Sequence, residues 1–300
     1  MKAIEKAVRL CRGMEPLFAC PVCGDPLTVP SKNYRNLVCS RNHCYDFSAK
    51  GYVNLLGSHQ RKSAAPGYTK EVLSARRAML TAGLFDPVIE TLTEIIECEL
   101  GRGEQSHPCA LLDAGCGEGY SLSAMMLRLR EGGVAWDAVG MDISKPGITI
   151  ACGHDDSIMW CVGNIAKRLP FVPSRFDVVT NLLAPENWEE FRRVMRGDGL
   201  LVKATPLDNH FIELRSALYE RPRERSRSVD DVLTELGTWF DTVETRRLTY
   251  GFALPAERTP DLIRMSPLFW KAKPERIEAV ERHGLPAITT DLSVVVARPR

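Results

Sequence analysis

Two pairs of soft ligands stand near the N-terminus, Cys20-Pro21-Val22-Cys23 and Cys39-Ser40-Arg41-Asn42-His43-Cys44. Thiolates and imidazoles at this spacing on tight turns can hold one tetrahedral Zn2+, the second pair closing the shell begun by the first. Cys20 and Cys23 form one knuckle; Cys39 and His43 form the other, with Cys44 a rival for the fourth place. A segment of about 40 residues buries too little core to fold unaided, so a metal is also what the length demands. Four protein ligands leave no open position for water, which makes the role structural.

A second chemical signature is Leu112-Asp113-Ala114-Gly115-Cys116-Gly117-Glu118-Gly119, a glycine loop between an apolar strand pattern and a helix pattern. Its G-x-G-x-G spacing lacks the extra residue that shapes a pyrophosphate site in the dinucleotide fingerprint. Asp142 ends the next strand, Val139-Gly140-Met141-Asp142, where a carboxylate can accept both ribose hydroxyls. A loop shaped for a ligand without phosphate, followed by a ribose carboxylate, fits S-adenosylmethionine better than NAD.

The elements that must position these residues follow from periodicity. Strands are expected at 109–113, 136–142, 158–162, 176–182 and 199–204, with helices at 119–131, 145–152 and 187–196 between them. This βαβ alternation predicts a doubly wound, mostly parallel sheet covered by helices on both faces. Upstream, 1–17 reads as an amphipathic helix, 57–67 as a small, polar, basic linker, 69–82 as a helix with Thr69 as N-cap, and 86–99 as another. Downstream come a helix at 209–219, an arginine-rich loop at 221–228, a helix at 229–238, a strand near 242–249, a helix near 274–283 and a final strand at 292–297. The expected organisation is a zinc-binding segment (1–56), a linker with helices (57–100) and a cofactor-binding domain (101–300).

Bulk composition narrows the class. The apolar share is 44%, the charged share 26%, and no long uninterrupted apolar run is present, so no membrane-spanning helix is expected. The opening residues lack the apolar core and cleavage site of a signal peptide, which leads to a cytoplasmic assignment with the remaining cysteines as free thiols. The net charge of +1 divides unevenly: residues 1–82 carry +8 and the rest −7. A basic head on an acidic body is the footprint of a polyanion partner.

With these motifs in order, the chain resembles the RlmA-type 23S ribosomal RNA guanine-N1 methyltransferases, a family that includes tylosin-resistance methyltransferases. The resemblance runs through CPVC and CSRNH, YDFSAKGYVNLL (45–56), TKEVLSARRAMLTAGLF (69–85), LLDAGCGEGY, MDISKPGI (141–148), LPF (169–171), NLLAP (181–185), ATP (204–206) and MSPLFW (265–270). It implies a zinc domain that recognises RNA and a class I, Rossmann-like α/β methyltransferase domain with a seven-stranded sheet. It further implies methylation of one guanine in a 23S rRNA hairpin lining the peptide exit tunnel, and a homodimer. The family's zinc ligands carry over to Cys20, Cys23, Cys39 and His43. Its cofactor positions carry over to Phe85, to the loop with Asp113, Gly115, Gly117, Glu118, Gly119, Tyr120 and Ser121, to Asp142 and Asn164, and to His210. Two departures stand out: Gly67-Tyr68 replaces a common Gly-Asp, and Gly83-Leu84-Phe85 replaces a common Gly-His-Tyr. Asn181-x-x-Ala-Pro is slightly closer to the tylosin-resistance branch.

Methyl transfer from a sulfonium to nitrogen is an in-line displacement that chiefly requires positioning. Guanine N1 must lose its proton, which calls for a base or for groups that stabilise an anionic O6. Asn181, at the edge of the fourth strand, either meets the base or caps the following turn; Glu186 and His210 are weaker proton acceptors. A paired guanine must leave its stack, and Trp270 is placed to receive it, while Phe269 reads as core. Arg41, Lys50, Arg61, Lys62, Arg76 and Arg77 are expected phosphate contacts. The rival readings are a methyltransferase for a small molecule or protein, and an RNA-binding module with an inactive cofactor site.

Overall fold

A computed structural model describes residues 2–31, 35–57, 69–100, 107–220 and 228–300. Arg61, Lys62, most of the expected linker and the arginine-rich loop at 221–227 lie outside the described residues.

The N-terminal part begins with α1 (Ala3–Gly13), continues through a small antiparallel pair, β1 (Asn36–Val38) with β2 (Cys44–Asp46), and ends in β3 (Tyr52–Asn54). Then come α2 (Lys70–Thr81) and α3 (Asp86–Leu100). Thr69 caps α2, its hydroxyl accepting from Val72 N–H at 3.4 Å, and Gly83 turns the chain out of it at φ +92°.

The α/β part alternates β4 (Cys109–Ala114), α4 (Tyr120–Glu131), β5 (Trp136–Asp142), α5 (Lys145–His154), β6 (Met159–Val162), β7 (Phe176–Leu182), α6 (Trp188–Val194) and β8 (Met195–Pro206). It closes with α7 (Ile212–Leu218), α8 (Val229–Leu236), β9 (Phe240–Ala253), α9 (Thr259–Met265), α10 (Pro274–His283) and β10 (Ala287–Pro299). The sequence periodicity does not announce α9 or the 3₁₀ turn Pro267–Lys271 that follows it.

These strands make one sheet in the order β3-β6-β5-β4-β7-β8-β10-β9, with β10 antiparallel to both neighbours. It has eight strands where seven were expected. The extra one is β3, which pairs in parallel with β6 through Tyr52–Trp160, Val53–Cys161 and Asn54–Val162. Every residue of β4 is buried, as for a parallel strand covered on both faces. The pleat sends Leu111 to one core, and Ala110 and Leu112 to the other.

The two faces are covered differently. Helices α2, α3, α4, α5, α7, α9 and α10 supply the first core. On the second, the β6–β7 connection, residues 163–175, contains no helix. A parallel crossover normally lays a helix across the sheet at this place. Here the N-terminal part supplies the cover: Val8, Cys11, Leu17, Phe18, Leu27, Leu37 and Phe47 are buried against Val139, Met141, Met159 and Phe171. Phe18 stacks on Phe171 at 5.6 Å, and Ala19 N–H donates to Pro170 O at 3.0 Å. The zinc-binding segment, residues 1–56, therefore shares both a sheet and a core with the α/β part.

Candidate functional site

The strand order reverses between β4 and β7, and an open α/β sheet binds its ligand in the crevice beyond the strand ends at such a point. The loops gathered there carry Gly115 to Gly119, Asp142 to Ser144, Gly163 to Asn164, and Asn181 to Pro185.

The glycine loop is held tightly. Gly115 N–H and Cys116 N–H both donate to Met141 O, at 2.8 and 3.1 Å, and Gly119 N–H closes the turn on Cys116 O at 3.0 Å. Gly115 and Gly119 have φ of +91° and +83°; a Cβ would lie 2.4 Å from Ala184 Cβ at the first and 2.6 Å from the Trp160 ring at the second. Gly117 is different: a Cβ there would have only Arg76 Nε within 4 Å, at 3.7 Å.

Three buried carboxylates surround the loop: Asp113, Glu118 and Asp142. Asp142 accepts Gly117 N–H at 2.9 Å and Ser144 N–H at 2.7 Å, so its carboxylate is oriented by the loop it faces. Each of its oxygens retains a lone pair for a ribose hydroxyl. Asp113 accepts the Thr180 hydroxyl at 2.9 Å, yet burial pushes its carboxyl up to about 7. Burial also raises Asp142, against the pull of its two backbone donors. Glu118, 1% exposed, meets Arg76 Nε at 3.0 Å. Arg76, expected on RNA phosphate, is thus turned inward by this ion pair. Arg77 lies with its guanidinium 5.7 Å from the Tyr120 ring centroid. A crevice with open backbone at Gly117, an oriented Asp142 and an acid-rich wall fits the amino-acid, ribose and cationic groups of S-adenosylmethionine, which has no phosphate to place.

Around this core, Ser121 is buried at the start of α4. Asn164 accepts Ala166 N–H at 3.0 Å and so shapes the turn after β6. Phe85 is buried, with its ring 6.4 Å from that of His210, which stacks on Phe211 at 4.0 Å. His210 Nδ1 accepts Asp291 N–H at 3.4 Å; the neutral ring then carries its proton on Nε2 and is a donor there, better suited to an oxyanion than to taking a proton.

Asn181 and Glu186 have other occupations than the catalytic ones expected of them. Asn181 is fully buried, and its Nδ2 donates to Ala114 O at 2.7 Å and Pro185 O at 3.0 Å. Its Oδ1 accepts from Lys203 Nζ at 2.6 Å. Glu186 pairs with the same ammonium at 3.2 Å. Asn181 is the strut of a turn, the reading in which it caps the segment after β7. Lys203 went unnoticed in the sequence. The available signal was a lone lysine inside the apolar strand Gly199-Leu200-Leu201-Val202-Lys203-Ala204, since a buried ammonium must find oxygens. Burial pushes it down to about 7.

At the other site, Cys20, Cys23, Cys39 and His43 bring their ligand atoms within 4.8 Å of one another. The Cys23–Cys39 sulfurs are 3.7 Å apart, and His43 Nδ1 is 3.4 Å from the sulfurs of both Cys20 and Cys39. A tetrahedron with ordinary zinc bonds has S–S and S–N edges of about 3.8 and 3.6 Å, so the four side chains are preset for Zn2+. Cys44 is exposed and lies outside the cluster, which leaves His43 as the fourth ligand. The Tyr45 hydroxyl, 3.4 Å from Cys20 Sγ, adds an outer contact.

Of the remaining expected RNA contacts, Arg41 is 68% exposed beside Asp25, and Lys50 is exposed. Trp270 is 45% exposed, whereas Phe269 packs against the core.

Comparison with known proteins covers both ends of the chain. A zinc-ribbon family described as "RlmA, N-terminal" matches residues 18–64, and a family described as "Methyltransferase domain" matches residues 112–202. A Bacillus subtilis protein provisionally named a 23S rRNA (guanine-N(1)-)-methyltransferase is 32% identical, over 93% of this chain and 96% of its own. The chain belongs to the RlmA-type 23S rRNA guanine-N1 methyltransferase family. A Micromonospora griseorubida family member, provisionally named in the same way, is 31% identical over 95% of this chain and 97% of its own. The Streptomyces fradiae 23S rRNA (guanine(748)-N(1))-methyltransferase is 27% identical over 93% and 96%. Membership brings with it the class I methyltransferase fold, S-adenosylmethionine as cofactor and a structural zinc. Among the described residues no helix is long and apolar enough to cross a membrane.

Proposed function

We propose that this chain transfers a methyl group from S-adenosylmethionine to N1 of a guanine in a hairpin of 23S ribosomal RNA. The observation that carries the reading is the near full-length likeness to the Streptomyces fradiae enzyme, which spans zinc ribbon and methyltransferase domain together. The cofactor supplies the electrophilic methyl group. The chain's own residues hold and orient: Gly115 to Gly119 and Asp142 frame the cofactor crevice, Phe85 walls it, and His210 offers a donor for the guanine oxygen as N1 loses its proton. Arg41, Lys50 and the other basic residues of the N-terminal part grip the phosphates, and Trp270 stacks on the extruded base. The family resemblance also suggests a homodimer, which analytical ultracentrifugation tests.

The deciding experiment incubates the chain with 23S rRNA hairpins and S-adenosylmethionine, then maps methyl groups by mass spectrometry. One methyl on a guanine Watson–Crick edge is the expected product. Methyl transfer to protein or small molecules with none to RNA overturns the reading. Expression in a tylosin-sensitive host tests whether the modification alters macrolide sensitivity.

A further inference from the structure

The connection between β6 and β7 runs from one of the two sites to the other. At its start Ile165 packs on the glycine loop: a Cβ on Gly115 would lie 3.3 Å from Ile165 Cδ1. Further along, Arg168 lies over Gly24, the residue after Cys23 in the first zinc knuckle. A Cβ on Gly24 would be 3.4 Å from Arg168 Nη2 and 3.5 Å from both Cζ and Nη1. Consecutive Cα atoms are about 3.8 Å apart, so Ile165 and Arg168 are separated by at most about 11 Å. The backbone between them is pinned. Asn187 Nδ2 donates to Ile165 O at 2.8 Å and to Lys167 O at 3.2 Å. Leu169 N–H donates to Glu190 at 2.6 Å, and Arg193 Nη2 donates to Leu169 O at 2.9 Å. Glu190 is already paired with Arg193, and Asp25 beside Gly24 is taken by Ser40 and Arg41. Lys167 and Arg168 are exposed, and among the described residues neither is joined to a carboxylate.

We infer that Lys167 and Arg168 form a phosphate clamp that guides the RNA backbone from the zinc ribbon to the methyl-transfer crevice. This inference rests on the RNA methyltransferase reading above and deepens it, because it adds an RNA contact that belongs to the α/β part. Three guanidinium atoms at nearly one distance from the same point mean that Arg168 lays its flat face on Gly24. Its in-plane N–H groups are then free to take a phosphate in parallel. Arg41 Nε stands 3.4 Å from Asp25, the neighbour of Gly24, so Arg41, Arg168 and Lys167 succeed one another toward Ile165 and the crevice. Three cations facing a single carboxylate leave a positive track, and such a track follows a nucleic-acid backbone. The pinned backbone has little ordering left to lose when RNA arrives. The short reach from Gly24 to the glycine loop also acts as a ruler: it sets how far along the strand from the ribbon the target guanine lies.

Phosphate-ethylation interference on the 23S rRNA hairpin reads the clamp directly, since an ethyl group on a gripped phosphate weakens binding. The wild-type chain is expected to show interference at about two phosphates within a few nucleotides of the methylated guanine. Lys167→Ala/Arg168→Ala is expected to lose that interference and no other. The same variant should bind the hairpin roughly 3- to 30-fold more weakly and flatten the slope of log K against log salt by about 1.4–1.8. Its zinc content and its affinity for S-adenosylhomocysteine should match the wild type, because both side chains are exposed. Arg246→Ala/Arg282→Ala removes the same charge from β9 and α10 and serves as the comparison. An unchanged interference pattern, or an equal loss in the comparison variant, overturns the clamp while the methyltransferase reading stands. A wild-type chain that places no methyl group on the hairpin overturns both.

Discussion

Lys203 Nζ lies 2.6 Å from Asn181 Oδ1 and 2.6 Å from Ala184 O, joining the end of β8 to the end of β7 and the turn that follows it. The turn in turn backs the glycine loop, because Ala184 fills the space beside Gly115. Asn181→Ala is therefore expected to act through stability. It takes one acceptor from Lys203, which keeps Ala184 O and Glu186, and leaves Ala114 O and Pro185 O without the Asn181 donor, a loss of about 1–3 kcal/mol. Urea denaturation checks this. Wild-type stability together with abolished methyl transfer would return Asn181 to a catalytic role.

The raised Asp113 carboxyl predicts a pH dependence. Its value in the fold, about 7, is above that of an unfolded aspartate. The protonated form is favoured in the native state, so this contribution is fully present below about pH 4 and is lost as pH rises through 7. Asp113→Asn keeps the oxygen that accepts the Thr180 hydroxyl and removes the titration. The variant should gain on the wild type between pH 4 and 7, with the gap constant above. Parallel stability curves across that range would contradict it.

Gly119→Ala should be damaging. The added Cβ meets Trp160 and Ala151 at under 3 Å with the backbone at φ +83°, so both space and conformation resist it. A loss of about 2 kcal/mol or more in thermal or urea unfolding, accompanied by weaker cofactor binding, is the expected result.

Metal analysis should separate two neighbours. Cys44→Ser is expected to retain zinc at the wild-type ratio, and His43→Ala to lose it, because only His43 faces the other three ligands. Since the ribbon covers part of one face of the sheet, strong chelation should also lower the unfolding midpoint of the α/β part. A midpoint insensitive to zinc would show that the cover holds without its metal.

Salt dependence reads the RNA grip. If Arg41 and Lys50 each touch a phosphate, Arg41→Ala/Lys50→Ala should flatten the slope of log K against log salt by about 1.4–1.8. An unchanged slope would move the grip elsewhere on the basic part of the chain.

Much of this was visible in the residues alone, for local reasons. The cysteine spacing, the glycine loop and the Thr69 cap are short-range signals, and each is found where its motif put it. Signals that depend on distant partners were not legible. Tyr52-Val53-Asn54 is too short to show a period, and its pairing with Trp160 to Val162 is long-range. Arg76 reads as a phosphate contact because nothing local announces Glu118 as its partner. Asn181 looked reactive because of its place at a strand end, and only the register of β7 against β8 shows Lys203 beside it.

The pairing of β3 with β6 also bears on how the chain is made. A ribosome releases Tyr52 to Asn54 about a hundred residues before the strand they must join. For that interval the first segment has no sheet and no opposing core, only its own small pairing and its four ligands. Early metal capture would keep Phe18, Leu37 and Phe47 out of misplaced contacts until Phe171 and its neighbours emerge. Zinc availability during synthesis would then govern the yield of folded enzyme, even though no step of the methyl transfer itself calls on the metal.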